Sequence, residues 1–413
     1  MQSDVAVLGA GMVGICCALH AQARGRSVAL VDRRGAAEET SYGNAGLIQR
    51  EGVYPYGFPH DFGALLRYGL NRTIDAHYHP LALPRIGPFL WKYWRHSRAS
   101  RHAEIARLYE RLIRHCVVEH DALAVQADAT GLIRRGGWRK LFRTERERDK
   151  RFEEAARWKA EFGVNFEALD AKALQEAEPH LAPVLAGALH YTDPTSAADP
   201  QALALAYLKL FLERGGRFLQ GNAASLAQTP AGWSLRTAEG PVEAKDVVIA
   251  LGPWADVATR ALGYDLPLAV KRGYHMHYRI AGQARLNAPS LDAERGYFLA
   301  PMRGGIRLTT GAEFALRDAI RTPVQLGRAE PIARDLFPLA ERMDAEPWMG
   351  SRPCTPDMMP IIGAAPRHQG LWFAFGHAHH GFTLGAVTGR LIGEMIAGET
   401  PFVDPRPYRA DRF

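Results

Sequence analysis

Residues 5–8 are four apolar residues in a row, Val5-Ala6-Val7-Leu8, as in a strand covered on both faces, and a glycine-bearing turn follows at once. Apolar periodicity then predicts a helix to about residue 24, and 27–31 read as a second buried strand that ends in Asp32. Further on, 86–98 and 99–126 read as helices, the second charged along one side. Residues 132–144 are strand-like around Gly136-Gly137, and 145–162 form a charged amphipathic helix. A dense apolar stripe over 198–214, closed by Gly215-Gly216, predicts another helix with a glycine C-cap. Strands are predicted at 217–219, 233–237 and 242–251, with short alternating strands filling 268–281 and 296–313. Residues 51–80 carry no clear period. The chain closes on a strand at 371–375, a glycine turn and a helix at 384–397. Both ends are therefore expected to build one α/β domain, with the middle supplying a second.

The first turn carries Gly9, Gly11 and Gly14. In a strand–turn–helix unit, the first glycine permits the tight turn and the second lets a pyrophosphate approach the backbone. The third lets helix and strand pack closely. The phosphates then sit at the helix N-terminus, at Met12, where free N–H groups and the dipole favour negative charge. Asp32 lies 21 residues beyond Gly11, placed to accept from a ribose hydroxyl, with Arg33 beside it. The pattern predicts a dinucleotide site.

Composition narrows the class. With 413 residues, two or three cores are expected. A net charge of +7 comes from scattered basic residues, not a tail, which argues against nucleic acid as a partner. Cys16, Cys17, Cys116 and Cys354 make no metal-type spacing, which fits a reducing, cytoplasmic setting, and no metal is expected. No apolar run is long enough to span a membrane, and the N-terminus enters a strand with no leader-like segment.

Glycine fingerprints serve NAD and FAD alike. Three features favour FAD: the fingerprint stands at the extreme N-terminus, no second one follows, and Thr40-Ser41-Tyr42-Gly43-Asn44-Ala45-Gly46 is suited to cover the rest of a long cofactor. The closing unit Phe375-Gly376-His377-Ala378-His379-His380-Gly381-Phe382-Thr383 offers backbone N–H groups where a flavin pyrimidine oxygen can sit.

Together with Ile249-Ala250-Leu251-Gly252-Pro253-Trp254, Gly350-Ser351-Arg352-Pro353, Thr355-Pro356-Asp357 and Pro360-Ile361-Ile362-Gly363, these motifs resemble the FAD-dependent amine oxidoreductases of the D-amino-acid oxidase and glycine oxidase superfamily, nearest the bacterial D-amino-acid dehydrogenases. The resemblance implies an α/β fold: a discontinuous Rossmann-like FAD-binding domain of GR2 type (1–55, 190–262 and 347–413). It also implies an α+β substrate domain built on an antiparallel sheet (56–189 and 263–346). FAD is expected to bind non-covalently through Gly9, Gly11, Met12, Gly14, Asp32, Arg33, Ser41, Asn44, Ala45, Gly46, Gly252, Gly376, His377, Gly381, Phe382 and Thr383.

On the substrate side the resemblance implies that Arg352 grips a carboxylate bidentately, with Tyr297 closing over it, Tyr274 facing the pocket and His379 near the isoalloxazine. Half-buried strand aromatics and locally bonded histidines are the plainer readings of those last three residues. The implied reaction moves hydride from Cα of a D-amino acid to flavin N5, gives a 2-oxo acid and ammonia, and passes electrons to a quinone-type acceptor. Aromatic and basic residues interleave at Phe89-Leu90-Trp91-Lys92-Tyr93-Trp94-Arg95, which suits a peripheral contact with the inner membrane face. An ordinary amphipathic packing helix explains the same pattern. The alternatives are an oxidase or dehydrogenase of glycine, sarcosine or a cyclic D-imino acid such as a D-proline derivative. A non-catalytic FAD-fold binding protein is the alternative of another class, and the intact phosphate turn argues against it.

Overall fold

The computed structural model describes residues 1–413. The apolar run at the N-terminus becomes the strand Gln2–Leu8, flanked in parallel by Val28–Asp32 on one side and Gly240–Ile249 on the other. Arg217–Gln220 extends this sheet beyond Val28–Asp32, and Leu371–Phe375 joins Gly240–Ile249, both in parallel. Val5 through Leu8 are fully buried, as strands covered on both faces must be. The expected α/β class and the union of the two chain ends both follow from this sheet.

The first and last helices, Met12–Gln22 and Gly385–Ala397, pack against each other through glycines. A Cβ on Gly389 would stand 2.5 Å from the Cys16 carbonyl oxygen, and one on Gly385 2.6 Å from Met12 Cγ. Only hydrogen fits there. Cys16 and Cys17, both free thiols, fill the same contact as small hydrophobes.

A second, larger sheet of 11 strands is mainly antiparallel and centres on Ala269–Ile280. That strand pairs with Gly305–Thr310, Ala312–Phe314, Leu339–Arg342 and Trp348–Cys354. Its residues alternate between two destinations. Met276 and Tyr278 enter a core shared with the helix Val324–Leu336, while Lys271 and Gly273 line a cavity on the opposite face.

Several expectations shift. Gly187–Tyr191 and Trp348–Cys354 belong to the second sheet, so the boundaries expected at 189/190 and 346/347 fall too early. The chain crosses between domains as continuous strand, and its pattern does not say which ladder it joins. The helix expected over 99–126 is two, Ala99–Ile113 and Cys116–Gln126, each with its own buried stripe. The aperiodic 51–80 stretch holds the helix Phe62–Gly69, whose first turn is capped by Asp61 accepting from the Ala64 N–H at 2.8 Å. Phe62, Leu65, Leu66 and Leu70 do stand at helical spacing, but the helix has only eight residues and is set in a stretch rich in proline, glycine and histidine, which hides the period.

Candidate active site

A cavity of about 1080 Å³ runs from the glycine turn to the face of the second sheet. At its first end the walls are mostly main chain. Gly9 has φ +106° and its missing Cβ would lie 2.4 Å from the Ala250 carbonyl oxygen; one on Gly14 would lie 1.7 Å from the Gly9 oxygen. Asp32 accepts from the Ala10 N–H at 2.7 Å, so one carboxylate oxygen sets the loop while lone pairs remain for a sugar hydroxyl. The Ser41 hydroxyl accepts from the Met12 N–H at 2.9 Å, at the helix N-terminus. Arg33 stacks over Trp254 at 4.3 Å and pairs with Glu39 at 3.1 Å.

Along the middle, Asn44 Oδ1 accepts from the Gly46 N–H at 2.7 Å, and Arg307 donates to the Tyr42 and Asn44 carbonyls. These bonds fix Asn44 and Ala45 in a turn along the wall. The closing loop turns at Gly376 (φ +80°), and the Ala378 N–H donates to the Pro353 carbonyl at 2.8 Å, tying that loop to the Trp348–Cys354 strand. His377 shares a proton with Thr388 at 2.9 Å, and burial pushes it down to about 3, so it is neutral. Gly252, Gly381 and Phe382 line the cavity. Gly14, Gly46, Gly376 and Thr383 stand behind the wall: the Thr383 hydroxyl donates to the Leu47 carbonyl at 3.1 Å.

The far end is built from side chains. Arg352 lies over Gly273, where a Cβ would be 2.5 Å from Nη1, and donates to the Arg272 and Gly311 carbonyls at 3.3 and 3.2 Å. No carboxylate pairs with it, and burial holds its guanidinium below the usual range. His379 packs on Tyr56 with ring centres 4.5 Å apart. Burial first, then the charges of Arg352 and Lys271, keep it well below the ordinary histidine range. Lys271 Nζ donates to the Tyr93 hydroxyl at 2.8 Å, which in turn donates to the Tyr56 carbonyl at 2.6 Å.

The two expected tyrosines do not join this group. The Tyr274 hydroxyl donates to Glu313 at 3.0 Å and accepts from Arg272 at 3.1 Å, on the strand face opposite Lys271. The Tyr297 hydroxyl reaches the Ile332 carbonyl at 3.5 Å, beside Asp292 and Arg143. Both touch the cavity wall without directing their hydroxyls at Arg352. Period two explains the miss: a strand residue one position off faces the other side. Tyr56 and Tyr93 occupy the aromatic places instead.

The family model described as FAD dependent oxidoreductase matches residues 4–395. The chain belongs to this family. It is 31% identical over 423 residues to a protein named D-amino acid dehydrogenase from Cereibacter sphaeroides, covering 99% of this chain and 95% of that one. It is 27% identical over 424 residues to a D-amino-acid oxidase from Bradyrhizobium diazoefficiens, covering 99% and 98%. Glycine oxidase from Geobacillus kaustophilus superposes with a TM-score of 0.75 at 22% identity, covering 100% and 99%. This FAD-dependent oxidoreductase thus takes FAD as its cofactor and acts on an amino acid, in agreement with a cavity that offers a glycine cradle at one end and an unpaired guanidinium at the other.

Lys271, Tyr56 and Tyr93 were missed as site residues. The signal was present for Lys271: it stands on the same strand parity as Gly273, in a chain with only eight lysines. Tyr93 sits on a helix whose aromatic–basic interleaving pointed outward instead.

Proposed function

We propose that this oxidoreductase dehydrogenates a D-amino acid to its imino acid, which water converts to a 2-oxo acid and ammonia, and that its electrons pass to a quinone-type acceptor. Arg352 carries the reading: it is a half-buried guanidinium with no carboxylate partner, facing the cavity that the glycine loop opens. A fork of this kind binds a carboxylate by two parallel N–H···O bonds and fixes which substituents of Cα face the cavity. Non-covalently bound FAD would lie between the fingerprint loop and Arg352 and supply the two-electron acceptor.

The remaining roles fall to the chain's own groups. Neutral His379 and Tyr56 wall the site, and no acid flanks Arg352 or Lys271 to hold a substrate ammonium in its charged form. The amine therefore binds more readily neutral, which its lone pair requires when the Cα–H bond breaks. D configuration is supported by the names of the relatives near 30% identity.

No helix is long and apolar enough to cross a membrane. The segment from Phe62 to Arg95 nevertheless exposes Phe62, Leu66, Leu70, Leu81, Leu83 and Trp91, with Arg67, Arg85, Lys92 and Arg95 exposed among them. Its inner side, through Leu65, Tyr68 and Leu90, lines the cavity. Apolar side chains rimmed by cations suit an anionic lipid surface, from which a lipid-soluble acceptor would reach the site directly.

The test is anaerobic bleaching of the yellow holoenzyme by enantiomeric pairs of amino acids. D enantiomers should bleach it and L enantiomers should not; the reverse order overturns the stereochemical assignment. Rapid peroxide formation in air, exceeding reduction of a quinone analogue, would remove the quinone from this reading. Cosedimentation with anionic vesicles, lost in Leu66→Glu and Trp91→Glu, tests the membrane face.

A further inference from the structure

Arg352 is not the only unpaired cation at this end of the cavity. Lys271 is 3% exposed; of the other seven lysines six are exposed, and Lys140 is half-buried at another part of the same cavity. Its position is fixed by register, because Lys271 pairs directly with Arg352 across the antiparallel strands, so the two side chains leave the same sheet face side by side.

They then part. The guanidinium turns over Gly273 toward the Gly311 carbonyl. The ammonium turns toward Tyr93 and Met358, with Nζ 2.8 Å from the Tyr93 hydroxyl, 3.7 Å from Met358 Sδ and 3.9 Å from the Tyr93 ring centre. The two heads therefore do not share their protein partners. Nor does the protein supply an anion: the charges that Lys271 feels are the Cys354 thiol and Arg352, and burial pushes the amine down to about 8. Tyr93 spends its proton on the Tyr56 carbonyl, so its oxygen accepts one Lys271 N–H; Met358 Sδ takes a second, and one donor is left for a ligand.

A buried ammonium held beside a half-buried guanidinium is costly unless an anion arrives with the substrate. We propose that Lys271 is a second anion-binding residue of the substrate site, and that the substrate is an amino acid whose side chain ends in a carboxylate. Arg352 takes the α-carboxylate and Lys271 the distal one. This rests on the assignment of Arg352 as the α-carboxylate clamp.

The experiment begins without turnover. The oxidised holoenzyme is titrated with glutarate and with butyrate, and binding is followed by the change in flavin absorbance. Glutarate should bind at least tenfold more tightly, and Lys271→Met should bring the ratio close to one. Equal affinities in the unmodified enzyme overturn the proposal with no variant needed, as does a Lys271→Met enzyme that weakens both ligands equally. Turnover comes second: D-glutamate should exceed D-glutamine at least tenfold in kcat/KM, a preference that Lys271→Met abolishes. If neutral amino acids bleach the flavin while glutarate gains nothing over butyrate, the second anion site fails and the amino-acid reading stands. If glutarate is preferred and no amino acid bleaches the flavin, the anion site stands and the amino-acid reading fails.

Discussion

The two ends of the cavity are built from different materials. At the fingerprint end, Gly9, Gly11 and Gly14 present backbone, and specificity comes from where side chains are missing. At the substrate end, Lys271, Arg352, His379, Tyr56 and Tyr93 come from five separate parts of the chain, and specificity comes from where their heads point. The first end accepts a group that is the same in every FAD enzyme, so spacing alone encodes it. The second must fit one substrate, and its chemistry depends on strand parity and cross-strand register that local sequence does not carry.

That contrast can be broken at either end. The largest effect is expected from Gly14→Val, because a Cβ there would lie 1.7 Å from the Gly9 oxygen and overpacking of this kind costs about 3 kcal/mol or more. The variant should purify colourless, which the flavin absorbance reports directly; a yellow protein of normal flavin content would show that the loop yields.

Arg352→Met should leave the flavin bound and raise KM for amino acids roughly 100-fold, the loss of a charge-assisted bidentate pair worth about 3 kcal/mol. Unchanged KM would take the carboxylate away from Arg352.

Between the two ends in expected size stands Glu51, which accepts from Trp138 Nε1 and Gln49 Nε2, both at 2.8 Å, with its other oxygen unpartnered. Burial raises this carboxyl to about 7. Below about pH 4.5 it is protonated in folded and unfolded chains alike. Between about 4.5 and 7 only the unfolded chain loses the proton, so Glu51 subtracts stability as pH rises, by up to roughly 3 kcal/mol above pH 7. Glu51→Gln should therefore raise Tm more at pH 8 than at pH 5; an equal rise at both rules out this origin.

The smallest effect is expected from Tyr297→Phe. Its hydroxyl reaches Ile332, not Arg352, so KM should change less than about twofold. A large rise would restore it to the carboxylate clamp.

Much of the nucleotide half was legible because its signals are local. The strand–glycine–helix unit, the acid 21 residues past Gly11 and the closing glycine–histidine turn each announce themselves within a few residues. Arg352 was legible through its motif. Tyr274 and Tyr297 were misplaced because proximity in sequence to the right strand says nothing about which face a side chain takes. The helix Phe62–Gly69 escaped notice because its apolar period runs over a helix of only eight residues.

The glycine seam between the first and last helices has a consequence for assembly in time. The loop that opens the chain cannot acquire its full surroundings until residues 371–397 have been made, because the final strand and helix complete both the sheet and the cavity wall. A nascent chain still lacking its last forty residues should hold no flavin. Loading of the prosthetic group is thereby expected to wait until residues 371–397 are in place.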